Sequence, residues 1–198
     1  GTSGSLGRSA RQVLRDDVAG GTVLVTAIAG WNDLETRFSE PSRAVEVLSR
    51  LFELFDAATP IFNVDRATVF GDHYIVTAGL IAGSQATIRN LHLFAEWQQS
   101  LDDTKGKVPL RTAIASGGLR GEVIGSARTL RYHVSGPALH KAIAVLPSVP
   151  GGEIVGCEST LWLLGVRPAA RGHRGNGFAK IPSASQKSID LDTSINDA

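Results

Sequence analysis

Two kinds of apolar pattern alternate along this chain, and their order constrains its fold. Short runs rich in β-branched residues, typical of buried strands, are separated by longer segments whose apolar residues recur every three to four positions, as on one side of a helix. The resulting order is strand, helix, strand, strand, helix, strand, predicted in turn over residues 22–30, 39–59, two strands within 63–80, 84–101 and 108–117.

This βαββαβ order predicts an α+β domain of the ferredoxin-like type. We expect an antiparallel or mixed sheet with helices on one face and a partner domain covering the other face. Extra C-terminal strands are predicted within 121–136 and 151–159, and extra helices over 136–148 and 160–166. The apolar stripe predicted for the first helix comprises Val45, Leu48, Leu51, Phe52 and Phe55.

Composition divides the chain into one domain with polar flanks. We expect residues 1–20 to be a lead-in made of a cloning scar, GTSGS, and a linker. The domain is predicted over 21–167, and the segment 168–198 has so few large apolar residues that we expect a flexible polar tail. Twenty basic against 19 acidic residues, with no basic run, argue against nucleic-acid binding.

Two further features bear on the environment of the chain. Its one cysteine, Cys157, has no partner for an internal disulfide and lies in an apolar run, which favours a buried structural thiol in a reducing compartment. No apolar stretch reaches the roughly 18 residues that a membrane-spanning helix needs, and we identify no signal peptide.

The stretch RATVFGDHYIV, residues 66–76, places a carboxylate between two apolar strands. The dipeptide Gly71-Asp72 is typical of a tight turn, since glycine tolerates positive φ and an aspartate side chain can hydrogen-bond its own backbone. By itself the stretch favours a β-hairpin. The alternative is that Asp72 is a metal ligand held between two rigid strands.

Six segments in order resemble the catalytic domain of class III adenylate and guanylate cyclases, over about residues 22–164. They are VLVTAIAGWNDL, AVEVLSRLFELFDAAT, ATVFGDHYIVTAGL, LRTAIASGGLRGEVIG, RYHVSGPALHKAIAVL and GGEIVGCESTLWLL. The resemblance implies that Asp72 corresponds to one of two carboxylates that hold two divalent metal ions at the nucleotide phosphates. The other carboxylate position is Ala27, whose methyl group cannot coordinate a cation. Asp33 is the nearest replacement in sequence, although a loop or helix-capping role suits it better.

The resemblance also locates positions for base recognition and transition-state stabilisation. Thr68 stands where family members carry a purine-reading Lys or Glu, and His133 where they carry Asp or Cys. His140 replaces the ribose-orienting Asn, and Ala144 replaces the Arg that stabilises phosphate charge. Loss of such a preorganised donor typically costs about 10²–10³ in rate. Lys180 is a candidate for the lysine near the C-terminal end of the family domain.

The histidines offer a separate metal hypothesis. His73, next to Asp72, together with His133 and His140 could form a transition-metal site. Their spacing is not that of a typical ligand set, so solvent-facing or hydrogen-bonded histidines are favoured.

The resemblance therefore implies a degenerate nucleotide cyclase homology domain, a pseudoenzyme that serves dimerisation or regulation within a larger signalling protein. We expect a homodimer, or a heterodimer with another cyclase-type domain or a regulatory protein. We expect it in the cytoplasm, with the intracellular domain of a membrane-anchored parent as the alternative. A nucleotide is a candidate ligand, and Mg²⁺ or Mn²⁺ is expected only if activity persists. The alternatives are an active adenylate or guanylate cyclase with relocated ligands, and an unrelated ferredoxin-like binding module.

Overall fold

The computed structural model describes residues 15–37, 41–101, 108–126, 128–167 and 177–183. Within these ranges the strands are β1 Arg15–Ile28, β2 Asp65–Phe70, β3 His73–Ala78, β4 Leu110–Ile124, β5 Arg131–Ser135, β6 Glu153–Cys157 and β7 Phe178–Lys180. The helices are α1 Trp31–Arg37, α2 Pro41–Phe62, α3 Ile88–Ser100, α4 Pro137–Val145 and α5 Glu158–Leu163, and a short 3-10 turn, Leu146–Ser148, follows α4.

These strands form one mixed sheet. Its order is β2-β3-β1-β4-β6-β7, and β5 pairs with the C-terminal part of β4. β4 and β6 run parallel, whereas the other pairs are antiparallel. The predicted α+β fold, with its βαββαβ order and additional C-terminal elements, is confirmed.

β1 and β4 form the centre of the sheet. They pair without a break from Thr22 opposite Ser116 to Ile28 opposite Leu110, and a second stretch pairs residues 15–18 with 119–122. The register shifts between Val18 and Gly21. A Cβ at Gly21 would lie 2.9 Å from Cδ1 of Leu119, so glycine lets the two strands stay close at this irregularity.

Each face of the sheet carries its own core. Val23, Val25 and Ala27 of β1 belong to the core beneath α4, on the side we call the α4 face. Leu24 and Ile28 belong to the core beneath α2, α3 and α5 on the opposite face. Alternate residues of β1 thus point to opposite faces, and burial on both sides explains the nearly continuous apolar run.

Helices therefore lie on both faces, which corrects our expectation that they share one. α4 buries its own apolar side, Ala138, Leu139, Ala142 and Val145, against the face that α2 and α3 leave open. This helix covers part of the surface that we assigned to a partner domain.

The hairpin of β2 and β3 is fastened to α2 by aromatic and ionic contacts. The ring of Tyr74 lies 5.1 Å from that of Phe55, centroid to centroid, in an edge-on arrangement. Its hydroxyl donates to Asp56 at 2.5 Å, and Nε of Arg66 lies 2.8 Å from the same carboxylate oxygen. Burial and the contact with Asp56 raise the pKa of the Tyr74 phenol well above its ordinary value, so the phenol stays a donor. These contacts position the turn between β2 and β3.

Several predicted boundaries differ from the structure. β1 begins at Arg15, inside the predicted lead-in, because cross-strand contacts support its first residues. Tyr132 donates to Asp16 at 3.0 Å, and Arg120 pairs with Asp17 at 3.2 Å. The strands predicted over 108–117 and 121–125 are one strand, β4. Helix α1 was not predicted, and Val45 is exposed rather than buried.

β7 lies within the segment predicted to be a flexible tail. It pairs with β6, and Phe178, Ala179 and Ile181 are buried. The prediction was therefore wrong for residues 178–181, where a few apolar residues within a polar context are enough to complete a sheet edge. The predictions for 1–14, 102–107, 168–176 and 184–198 lie outside the described residues.

We predict that Gly121→Ala destabilises the fold through Tyr132. A Cβ at Gly121 would lie 1.8 Å from Oη of Tyr132, so the ring would have to move and its bond to Asp16 would be lost. The expected cost is about 1–3 kcal/mol, measured as free energy of unfolding in urea. Gly20→Ala is the matched control, since a Cβ there meets nothing within 4 Å. The effect of Gly121→Ala should shrink in a Tyr132→Ala background, and an undiminished loss there would contradict this explanation.

Candidate functional site

The hairpin turn at Asp72 lies beside the ends of β1 and β4. Thr26 pairs with Tyr74 across β1 and β3, and Ala27 pairs with Arg111 across β1 and β4. Three neighbouring strands therefore bring Asp72, Ala27 and Arg111 to one end of the sheet. Because directly paired residues point to the same side, Arg111 shares the α4 face with Ala27.

Asp72 is well shielded from solvent. Its side chain is 11% exposed, and Oδ1 lies 3.1 Å from Nδ1 of His73, an ion-pair distance without aligned hydrogen-bond geometry. Oδ2 is buried and has no hydrogen-bond partner among the described residues. Burial raises the pKa of the Asp72 carboxyl, but contact with His73, a backbone hydrogen bond and, least of all, the charge of Arg111 together outweigh burial and lower the pKa overall. The carboxylate is therefore the favoured form.

Arg111 is a site residue that sequence reasoning did not single out. Its Nη1 donates to the carbonyl of Pro147 at 3.4 Å, and its Nε is buried without a hydrogen-bond partner among the described residues. Glu153 lies opposite it on β6, and Lys180 of β7 pairs with Glu153 at 3.6 Å. The sequence feature that could have identified Arg111 is its positive charge at the start of β4, a strand that is otherwise largely buried and apolar.

A buried polar network supports this end of the sheet from the opposite face. Oγ1 of Thr26 donates to Gln98 of α3 at 2.7 Å and lies 3.1 Å from the hydroxyl of Thr112. Gln99 also donates to Thr112, at 3.1 Å. Thr26 and Thr112 directly adjoin Ala27 and Arg111 in sequence, so α3 fixes the backbone on which the site rests.

The residues at this end of the sheet do not fit a pair of divalent ions. Ala27 is 2% exposed and offers a methyl group where the family resemblance implies a carboxylate. Asp33 is exposed in the first turn of α1, with a carboxylate oxygen 3.6 Å from where a Cβ of Gly30 would be. No group of three or more His, Cys, Asp or Glu residues that could hold a metal occurs in the described parts of the chain.

The two positions assigned to base recognition lie on different strands. Thr68 is half-buried on β2, and His133 is exposed on β5. The strands share a core through Ala67 and Val134, yet no hydrogen bond joins Thr68 to His133 in the described structure. Their role in base recognition stays a prediction.

His140 and Ala144 are exposed and one turn apart on α4. A methyl group at Ala144 supplies no positive charge, and the described residues do not gather His73, His133 and His140 into a metal-binding cluster. Lys180 is engaged with Glu153, and its assignment to the family lysine stays a prediction. Cys157 is buried, and its sulfur accepts a hydrogen bond from the amide of Ser116 at 3.4 Å, in agreement with a structural thiol.

Residues 15–164 match the family model described as the adenylate and guanylate cyclase catalytic domain. The chain belongs to this family. An adenylate cyclase of Mycobacterium tuberculosis (strain H37Rv) is 29% identical over 149 residues, covering 73% of this chain and 33% of the relative. An adenylate cyclase of Mycobacterium bovis matches with the same values. The chain thus spans about a third of the length of these curated relatives.

Solved cyclase domains share the fold. The non-canonical dimeric guanylyl cyclase domain of the RhoGC fusion protein from Blastocladiella emersonii superimposes with a TM-score of 0.68 at 18% identity, covering 75% of this chain and 85% of that one. The guanylate cyclase domain of RhGC from Catenaria anguillulae, in complex with GTP, gives 0.69 at 18% identity, covering 83% and 94%. At this identity the likeness establishes the fold alone.

No helix within the described residues is both long enough and apolar enough to cross a membrane.

We predict that Asp72 stabilises the fold above its ordinary pKa and loses this effect in acid. Because the folded-state pKa lies below the ordinary aspartate value of 3.8, the carboxylate contributes fully above that pH, and the contribution disappears as pH falls through the lowered pKa. Asp72→Asn should therefore be less stable than wild type at pH 7, and the difference should shrink below pH 3.8. Urea unfolding across this range measures it, with the exposed Asp33→Asn as control. A difference that stays constant with pH would contradict the assignment.

Proposed function

We propose that this chain is a cyclase-family domain without cyclase activity, a pseudoenzyme that acts by associating with a second cyclase-type domain or a regulatory protein. The observation that carries this proposal is Ala27, a buried methyl group opposite Arg111 at the site end of the sheet. Two-metal phosphoryl chemistry requires ligands that hold both ions near the attacking oxygen and the phosphates. Among the described residues, Ala27 offers no second carboxylate beside Asp72, so the ligand pair that the family resemblance implies for two metal ions is incomplete.

The remaining positions support the same proposal. His140 and Ala144 replace the Asn and Arg that the family resemblance implies, so the chain lacks groups from both halves of a two-domain site. A domain that lacks groups from both the metal-binding set and the Asn and Arg set could not complete a catalytic site even with an intact partner domain. Residues 15–164, in contrast, match the family model.

Association is supported by an exposed aromatic side chain beside the site. Phe70, directly before the turn at Asp72, is 76% exposed. The family resemblance places catalytic sites between two domains, so the surface near Asp72 would face the partner. An exposed aromatic side chain at such a position suits a protein contact. We place this module inside a longer signalling protein.

An active cyclase with relocated ligands is the competing function. Its support is the buried Oδ2 of Asp72, which has no hydrogen-bond partner among the described residues. Turnover with ATP or GTP in Mn²⁺, followed by a cyclic nucleotide assay, separates the two functions.

We predict that the wild-type chain produces no cyclic nucleotide above background and that Asp72→Ala changes nothing in this assay. Loss of the second metal ligand and of a preorganised cation removes the groups that neutralise phosphate charge, each loss costing at least about 10²-fold. An active cyclase domain assayed in parallel is the positive control. Turnover above background that disappears in Asp72→Ala would establish the enzyme and refute this proposal.

We also predict that Phe70→Ser weakens self-association at least about tenfold in Kd, since an apolar anchor would lose its contact. Sedimentation equilibrium over a concentration series measures the change. Ile61→Ser is the matched control because Ile61 is similarly exposed, 78% against 76%, but lies on α2. Equal weakening of self-association in both variants, or no weakening in Phe70→Ser, would show that the hairpin tip is not part of the interface. A wild-type chain that stays monomeric would direct the search to heterologous partners.

A further inference from the structure

We propose that α3 and the sheet enclose a binding site for one internal water molecule, which bridges the side-chain amides of Gln98 and Gln99. The site lies on the face of the sheet opposite α4, at the end where Thr26 and Thr112 adjoin Ala27 and Arg111 in sequence. It requires no cyclase activity, so the inference goes beyond the proposed function.

Four side chains from α3, β1 and β4 form a directed chain of hydrogen bonds. Nε2 of Gln99 donates to the hydroxyl of Thr112 at 3.1 Å, and Oγ1 of Thr26 donates to Oε1 of Gln98 at 2.7 Å. The two hydroxyl oxygens lie 3.1 Å apart. Because the one hydroxyl proton of Thr26 is donated to Gln98, the proton between the two hydroxyls must come from Thr112. Every bond in the chain therefore runs from Gln99 towards Gln98.

This chain leaves one buried donor and one buried acceptor at its two ends. Nε2 of Gln98 and Oε1 of Gln99 are inaccessible to solvent and have no hydrogen-bond partner among the described residues. Gln98 is completely buried, as is Thr112, and Thr26 is nearly so. An unpaired buried donor or acceptor costs about 1–3 kcal/mol, so a ligand that satisfies both amides is strongly favoured.

The two end groups restrict the chemistry of that ligand. It must accept a hydrogen bond from the N–H of Gln98 and donate one to the carbonyl oxygen of Gln99. A metal ion or an ammonium group cannot accept, and an anion without a proton cannot donate. Water does both, and it is the molecule that commonly satisfies buried polar groups in proteins.

The orientation of the two amides does not alter this requirement. Flipping both amides reverses the direction of the chain and again leaves one donor and one acceptor at its ends. Flipping only one amide breaks the chain between the hydroxyls of Thr26 and Thr112, because the number of protons no longer matches the number of bonds.

A water at this place would complete a ring that joins the last turn of α3 to β1 and β4. Fully satisfied buried networks of this kind hold their elements in one arrangement. The bridging water would therefore help to fix the backbone of the strand ends that carry Ala27 and Arg111.

Magnetic relaxation dispersion of ¹⁷O tests the proposal, since it reports long-lived internal water and is unaffected by exchange of hydroxyl protons. Gln98→Met retains a side chain of similar length without the amide, so the water loses its donor. We expect this variant to hold one internal water fewer than wild type. Gln99→Met removes the acceptor and should give the same loss. Equal numbers of internal water in wild type and in whichever of these variants folds would overturn the proposal.

Ser100→Ala is the matched control. Ser100 lies on the same turn of α3 but is exposed, and its hydroxyl donates to the carbonyl of Trp97 at 2.7 Å, outside the chain of bonds. Its internal water should equal that of wild type. An equal loss in Ser100→Ala would show that the missing molecule is not the bridging one and would overturn the assignment.

A crystal structure of the wild-type chain supplies a second arm that needs no variant. We expect electron density for a water oxygen within about 3.2 Å of both amides. A direct hydrogen bond between Gln98 and Gln99, or no such density between well-ordered side chains, would refute the water site. Cyclase turnover, in contrast, would refute the proposed function and leave this site unaffected.

Discussion

The antiparallel pairing of β1 with β4 is the interaction on which the rest of the structure depends. Val23, Leu24 and Val25 are completely buried on both faces, so their backbone groups have no solvent to bond with and must be satisfied within the sheet. The continuous register that achieves this also sets Ala27 opposite Arg111. Both cores are built outward from this pair, and a slip of one residue would exchange the two faces of β1.

Much of the fold could be predicted because local patterns and tertiary packing agree. The hairpin at Gly71-Asp72 and the strands β1, β3 and β6 have apolar runs long enough to reveal burial, and α3 has a clear apolar side. The order of these elements indicated the α+β fold class, and the six motif segments carried the resemblance to the family.

The parts that could not be predicted depend on contacts distant in sequence. Residues 15–18 are polar apart from Val18, and they become a strand because Tyr132 and Arg120 bond to Asp16 and Asp17. β7 is three residues long, and only the edge of β6 gives it a partner. The placement of α4 on its own face follows from which surface the other helices leave uncovered. Arg111 lies within one of the quoted motif segments, but its place opposite Ala27 follows only from the strand pairing.

The positions that correspond to the family's catalytic residues differ in how deeply the fold buries them. His133, His140 and Ala144 are exposed, so their side chains contribute little to either core, and replacing them leaves the packing unchanged. Asp72 and Ala27 are shielded, so adding or removing a charge at either position alters the charge balance of the interior. Substitutions at the exposed positions and at the shielded sheet end therefore have different consequences for the fold.

The burial of Ala27 makes the absence of a carboxylate there difficult to reverse. An acidic side chain introduced alone would have to shed its hydration at a position nearly sealed from solvent, and the resulting penalty is large unless a counter-charge arrives with it. An acid at this position therefore requires its cation and room for both groups at the same time.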